Sequence, residues 1–476
     1  MQRILQFFLP CLLCAAGATG AAEPQKPNIL LFYADDLGYG ELGCYGFQEV
    51  PTPHIDSIAA NGIRFTGGYV SAPLCSPSRA GLMTGRYQQR FGHENNPAWL
   101  PDSTVAGLPL SQTTLPQAMK TAGYVTGCVG KWHLGAHPQF HPNRRGFDEY
   151  FGLLGGGHIY LPGAAGGVEY NIPMNRNGQD EPLTEYLTDV LGREASAFVK
   201  RHAGEPWFLY LAFNAPHTPL QVTDKQLDRV KHISDETRRN YGGLVVGLDD
   251  AVGEVLTTLG ESGQEANTLV WFFSDNGGPV SVSHSDNTPL RGAKGNVFEG
   301  GIRVPFLVSW PGRLPAGATV DAPAMNIDLF PTVLRLAGLE LPDDRIVDGR
   351  DLWGVMSGEQ PAPPHEALLF FDDKVIDGAR SGQWKYYRYV DRYYWPVPLD
   401  KPNSLAGRRL EGYTYKDERT GRELRLYADH PMLYDVALDP GEAYNLAARQ
   451  PEVSARMLGY IERWEQDWIK NPRGWK

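Results

Sequence analysis

The segment Cys75-Ser76-Pro77-Ser78-Arg79 brings a thiol, two hydroxyls and a guanidinium together. Pro77 suits the first turn of a helix and Gly85 its end, so the spacing predicts Cys75 at a helix N-terminus, where backbone dipoles favour negative charge. Arg79, one turn on, returns to the same face. Alone, Cys75 reads as a low-pKa thiol or as a small buried residue. Asp35-Asp36 and Asp275-Asn276-Gly277-Gly278 supply carboxylates and an amide carbonyl. Each pair alone reads as a cap or a turn. Gathered in one cleft, the three carboxylates would need a cation beside them. Oxygen donors select a hard ion, Ca²⁺ or else Mg²⁺ or Mn²⁺, over Zn²⁺. Lys131 and His133 lie two apart and face the same side of an extended chain.

The elements that must position these groups repeat one pattern, an apolar run that stops at polar residues. Pro27–Tyr33 ends in Asp35-Asp36, and Tyr124–Gly130 ends in Lys131-Trp132-His133. Trp207–Phe213 ends in Asn214-Ala215-Pro216-His217, and Leu269–Phe273 ends in Ser274-Asp275-Asn276. Continuous rather than alternating hydrophobicity marks strands buried on both faces, hence a largely parallel sheet sandwiched by helices. Helices are predicted from Pro53 to Gly62, from Leu115 to Gly123 and along the stripe Leu244, Leu248, Ala251, Val252, Val255 and Leu259. In an open α/β sheet ligands bind beyond the carboxyl ends of the strands, so the polar clusters are expected to converge on one edge.

The Cys75–Arg79 string, continued as Ala80-Gly81-Leu82-Met83-Thr84-Gly85-Arg86, resembles the signature of the type I sulfatase family of the alkaline phosphatase superfamily. The likeness extends through Phe65 to Gly85, Gly300-Gly301-Ile302-Arg303-Val304-Pro305, Leu433-Tyr434-Asp435, Asp439-Pro440-Gly441-Glu442 and Asn445-Leu446. It implies that Cys75 is oxidised to formylglycine by a formylglycine-generating enzyme or equivalent, and that the hydrated aldehyde is the nucleophile. It implies a Ca²⁺ held by Asp35, Asp36, Asp275, Asn276 and the oxidised residue 75. By the same resemblance Lys131 binds sulfate oxygens, His133 takes a proton from the nucleophile's second hydroxyl, and Arg79 holds the hydrated aldehyde. His217 and Lys294 would meet the ester oxygen and the sulfate, one of them donating the leaving-group proton. The implied reaction is hydrolysis of a sulfate ester on a carbohydrate. Phosphonate or phosphate mono- and diester hydrolases of the same superfamily are the neighbouring alternative. An exported carbohydrate-binding relative with unmodified Cys75 is the non-enzymatic one.

The chain has 476 residues, 42% hydrophobic and 21% charged, with a formal charge of -11. That balance supports a large core and disfavours nucleic acid as a partner. Residues 1–22 read as a signal peptide, with Arg3, an apolar run from Ile4 to Ala16 and small residues up to Ala22, which points to export to a periplasm or the exterior. No stretch is apolar enough over a sufficient length to span a bilayer. Cys44 and Cys128 read as small buried residues rather than a bridge. Pro361, Pro363 and Pro364 suggest a linker, dividing a catalytic α/β unit at 23–360 from a smaller antiparallel sheet plus helix at 361–476. Aromatic residues crowd that second unit, from Trp384, Tyr386, Tyr387 and Tyr389 through Tyr393, Tyr394 and Trp395 to Tyr413 and Tyr415, and read as cross-strand packing. Two loops are candidates for substrate contact: Arg90 to Asn96, with His93 and Glu94, and Gly155 to Gly167, with His158.

Overall fold

A computed structural model of the chain describes residues 26–360, 362–388, 390, 413–416, 423–426 and 431–476. The expected signal segment, residues 1–22, lies outside them, as do Tyr389, Tyr393, Tyr394 and Trp395.

In chain order the strands are β1 (Asn28–Ala34), β2 (Gly62–Phe65), β3 (Gly68–Tyr69), β4 (Val125–Lys131), β5 (Glu149–Leu153), β6 (Met174–Arg176), β7 (Gln179–Glu181), β8 (Trp207–Ala212) and β9 (Thr268–Ser274). They continue as β10 (Phe306–Ser309), β11 (Ala318–Val320), β12 (Ala324–Met325), β13 (Leu368–Asp372), β14 (Val375–Ser381), β15 (Trp384–Tyr387), β16 (Tyr413–Lys416), β17 (Glu423–Leu426) and β18 (Met432–Asp435). Ten of these form the main sheet, in the order β11-β2-β10-β9-β1-β8-β4-β5-β6-β7. Its centre, from β9 through β1, β8 and β4 to β5, is parallel, and antiparallel pairs flank it.

Each face of this sheet carries its own core. In β1, Ile29, Leu31 and Tyr33 join one apolar cluster, while Leu30, Phe32 and Ala34 join the other. The second cluster takes in helices Pro53–Ala60, Leu187–Arg201 and Glu236–Glu261. The first takes in helices Cys75–Thr84, Leu115–Thr121 and Leu329–Leu336. Hydrophobicity alone does not set the register of a strand buried on both sides. A slip of one residue would leave β1 equally apolar yet carry Asp35 about 3.3 Å along the strand. Its bond to Lys131, at 2.6 Å, would then be broken.

Beyond residue 361 the expected sheet and helix are present: β13-β14-β15-β18 is antiparallel, and helix Pro451–Lys470 buries Met457 and Ile461 against it. The predicted strand 384–390 is shorter, ending at Tyr387, and its buried Tyr386 and Tyr387 pair across the ladder with Leu433 and Met432. The core on this side runs unbroken from Phe306 and Phe330 to Leu368, Phe370 and Leu433. A buried charged seam also crosses it. Lys385 donates to Glu299 at 2.6 Å and to the carbonyl of Val297 at 3.1 Å, while Glu442 accepts from the Glu299 amide at 3.0 Å. Cys128 is fully buried as expected, whereas Cys44 is only half-buried, its amide bound to Asp56; neither is in a disulfide.

Candidate active site

The carboxyl ends of β1, β8, β4 and β9 meet at one edge, because these strands are parallel neighbours in register, with Ala34 opposite Ser274, Tyr33 opposite Ala212 and Gly130 opposite Ala212. Asp35 and Asp275 therefore leave neighbouring strands side by side, and Lys131 ends β4, separated from β1 by β8 alone. Against them stands helix Cys75–Thr84, all ten of whose residues are buried, closed by Gly85 at φ 66° as the spacing predicted. At its start, the amide of Ser76 is capped by Asn96 Oδ1 at 2.9 Å.

Arg79 is the keystone. Its Nε and Nη2 bond Asp275 Oδ2 at 3.0 and 2.7 Å, its Nη1 donates to the Lys131 carbonyl at 3.1 Å and to Tyr210 at 3.2 Å, and its guanidinium lies over the Tyr33 ring. Lys131 Nζ is 2.6 Å from Asp35 Oδ2, and Lys294 Nζ is 2.6 Å from Asp36 Oδ1 and 3.2 Å from Cys75 Sγ. His217 Nε2 lies 3.6 Å from Asp36 Oδ2. Its Nδ1 is 2.7 Å from the Thr218 carbonyl, which only accepts, so Nδ1 carries the proton.

The three carboxylates thus face Arg79, Lys131 and Lys294. Neutralisation alone does not demand a metal, contrary to the charge argument from sequence. A more direct sign is the pair of oxygens without partners. Asp35 Oδ1 and Asn276 Oδ1 are buried and accept no hydrogen bond among the described residues, Arg79 Nη2 approaching Asp35 Oδ1 only to 3.8 Å. Ligand atoms of Asp35, Asp36, Cys75 and His217 all lie within 4.8 Å of one another. Asp275 is less free, since Arg79 takes Oδ2 and the Asp36 amide donates to Oδ1 at 3.2 Å. Carboxylate and amide oxygens so arranged fit a hard divalent cation.

Burial dominates the titration of the site. It pushes the Cys75 thiol up to about 12, against the pull of Lys131 and Lys294. The expectation of a low-pKa thiol is therefore corrected: desolvation outweighs the helix terminus and both ammoniums. His133 is held neutral by burial and by Lys131, and burial takes His217 down to about 3 despite Asp36. Burial also raises Asp35, with Asp275 adding to it, whereas Asp275 itself is lowered because Arg79, Lys131 and Lys294 outweigh its burial.

Backbone conformation aims two of these groups. Asp36 and His133 adopt φ of 66° and 57°, a left-handed state costing non-glycine residues about 1 kcal/mol or more. Glycines allow the close approaches: a Cβ on Gly277 would lie 1.8 Å from the Gly300 carbonyl oxygen, and one on Gly156 would lie 2.9 Å from His133 Nε2. Residues 279–292 are pinned beside the site. Asn287 accepts from the Gly278 amide at 2.9 Å, Arg291 Nη1 donates to the Glu442 carbonyl at 3.1 Å, and Lys294 is buried.

Cys75, His133, His217 and Lys294 open onto a cavity of about 360 Å³, whose wall continues through Asn96, Trp99, Gly155, Gly156, Gly157, Glu169, Tyr170 and Ile172. Arg79 and Lys131 lie beneath it, fully buried. Both loops nominated from sequence border the cavity, through Asn96 and through Gly155, Gly156 and Gly157, though not through the histidines that drew attention to them. His93 is buried with Nε2 2.7 Å from Ser76 Oγ, and His158 Nδ1 lies 2.7 Å from the Ile159 carbonyl. Sequence reasoning missed Trp99, Glu169 and Tyr170, which lie outside both nominated loops and carry no spacing that marks them.

The Sulfatase family model matches residues 27–339. N-acetylgalactosamine-6-sulfatase of Canis lupus familiaris is 35% identical over 464 residues, covering 93% of this chain and 85% of that protein. Steryl-sulfatase of Rattus norvegicus is 34% identical over 540 residues, covering 94% and 90%. Among solved structures, Ps i-CgsB in complex with k-i-k-neocarrahexaose superposes with a TM-score of 0.79 at 35% identity, covering 92% of this chain and 93% of that one.

Proposed function

The chain belongs to the sulfatase family and is a sulfuric ester hydrolase, and from that premise we propose that it removes a sulfate from a carbohydrate using formylglycine made from Cys75 and a bound Ca²⁺. The observation that carries this reading is the meeting of Cys75, Lys294, His133 and His217 on one cavity directly above the buried carboxylates. A buried thiol pushed up to about 12 is a poor nucleophile, which favours an oxidised residue there. Its sulfur occupies the place of the aldehyde's oxygens. Hydrated, that aldehyde supplies one hydroxyl to attack sulfur and a second whose proton is surrendered as sulfate leaves.

Asp35, Asp36, Asp275 and Asn276 would hold the Ca²⁺, through the two free oxygens first. When bound, the ion stabilises negative charge on the attacking oxygen. Lys294, within reach of residue 75, orients the sulfate, and Lys131 adds positive charge from below. Neutral His133, with Nδ1 unpartnered among the described residues, accepts the second hydroxyl's proton. His217 has a bare Nε2 facing Asp36, so it donates to the leaving oxygen only once doubly protonated, with Asp36 supporting that charge; Lys294 already holds a proton. Arg79 fixes Asp275 and the floor of the site.

Asn96, Glu169, Trp99 and Tyr170 support a carbohydrate rather than a sterol, because they offer hydroxyl partners beside ring faces. We read residues 23–360 as the catalytic unit and 361–476 as a smaller unit buttressing the segment that carries Lys294. Export to a periplasm or the exterior, with oxidation by a maturation enzyme, completes the proposal. Mass analysis of the peptide containing residue 75, from protein made in an organism that oxidises such cysteines, is the decisive experiment. The aldehyde mass is expected; an intact thiol in fully active protein would overturn the mechanism.

A further inference from the structure

We infer that the sugar ring entering this cavity carries a single sulfate and no other anionic group, with Glu169 at the rim enforcing that limit. The inference rests on the carbohydrate sulfatase reading and concerns which rings that site accepts. Among the described residues lining the cavity, Lys294 is the sole lysine or arginine, and it lies on the buried floor beside Cys75. Above it, Glu169 aside, stand neutral groups: Asn96, half-buried Trp99, Ile172 and Tyr170, whose ring centroid is 6.3 Å from that of His217. Gly157 helps seat that ring, since a Cβ there would lie 2.7 Å from Tyr170 Cε1.

Glu169 is exposed and has no ion pair among the described residues, so its charge at the rim is not cancelled locally. It can accept hydrogen bonds from sugar hydroxyls, and it repels a second sulfate or a carboxylate on the same ring. At a separation of about 7 Å and an effective dielectric of about 40, one such like-charge contact corresponds to roughly a sevenfold rate difference. No lysine or arginine among the described residues of the wall compensates. A disulfated ring would then need another sulfatase to act first.

The test compares kcat/KM on N-acetylgalactosamine 6-sulfate and N-acetylgalactosamine 4,6-disulfate in the wild type, Glu169→Gln and Glu169→Lys, with 4-nitrophenyl sulfate as a reporter of the chemistry. The readout is the monosulfate-to-disulfate ratio within each protein, so a loss of folded material cancels. A wild-type ratio of about sevenfold or more is expected, falling toward unity in Glu169→Gln and reversing in Glu169→Lys, a total swing of about fiftyfold. Turnover of 4-nitrophenyl sulfate with a flat wild-type ratio, with no release from the monosulfated sugar, or with a ratio unmoved by Glu169→Lys, overturns this inference alone. Failure to release sulfate from any of the three compounds overturns the functional reading and this inference with it.

Discussion

Substituting alanine at Gly156 tests whether His133 acts through its position. The new Cβ would lie 2.9 Å from His133 Nε2 and 3.1 Å from Cε1. Ordinary contact requires about 3.5 Å, so the imidazole must retreat by about 0.6 Å. Gly156 is not in the left-handed region, so alanine costs little in the backbone itself. His133 Nδ1 bonds nothing among the described residues, so the ring is free to shift. A misplacement of 1 Å can cost about a hundredfold in rate, so roughly tenfold is expected in kcat, or about 1.4 kcal/mol of transition-state stabilisation. KM should change little, because Lys294 and the wall groups Asn96, Trp99 and Tyr170 are untouched. Steady-state kinetics on 4-nitrophenyl sulfate, with a thermal melt of each protein, supply the measurement. Gly204→Ala is the control, since a Cβ there meets nothing within 4 Å. A Gly156→Ala protein that melts like the wild type and keeps kcat within twofold would refute the assignment of His133.

Two further perturbations address the metal and the seam between the sheets. Chelation should lower the melting temperature by several degrees, with Ca²⁺ restoring it, since a ligand at a hundred times its Kd stabilises the folded state by about 2.7 kcal/mol. Asp35→Asn should abolish that response, and an unchanged Ca²⁺-dependent shift would remove Asp35 from the ligand set. At the seam, burial raises Glu442 from 4.5 to about 7, with Lys385 opposing. A carboxyl raised on folding binds its proton more tightly in the native state, so its stabilising contribution is complete below pH 4.5 and is lost as pH rises through about 7. Denaturant unfolding at pH 5 and pH 8 should therefore show a slope that Glu442→Gln reduces; an identical slope in both proteins would contradict the assignment.

Much of this site is legible in the chain because its parts lie at the ends of apolar runs. Pro27–Tyr33 can only be a strand buried on both faces, so the acids that follow must emerge at a sheet edge. Pro77 and Gly85 likewise bracket the helix that presents Cys75. Other features had no local signal. The pairing of Arg79 with Asp275 joins residues 196 apart, and the bond of Lys294 to Cys75 spans 219. The thiol's basicity was misjudged for the same reason. A helix N-terminus is visible in sequence, whereas complete desolvation arises from elements packed across the fold.

The amino-acid sequence determined the sheet, the helix carrying residue 75 and the inventory of groups that could act, since periodicity, proline and glycine operate within a few residues. Tertiary structure alone decided which carboxylate pairs with which cation, and which two buried oxygens accept no hydrogen bond among the described residues. It also decided that Trp99, Glu169 and Tyr170 wall the cavity. Those outcomes depend on distances between segments far apart in the chain, and such distances exist only once the layers have packed.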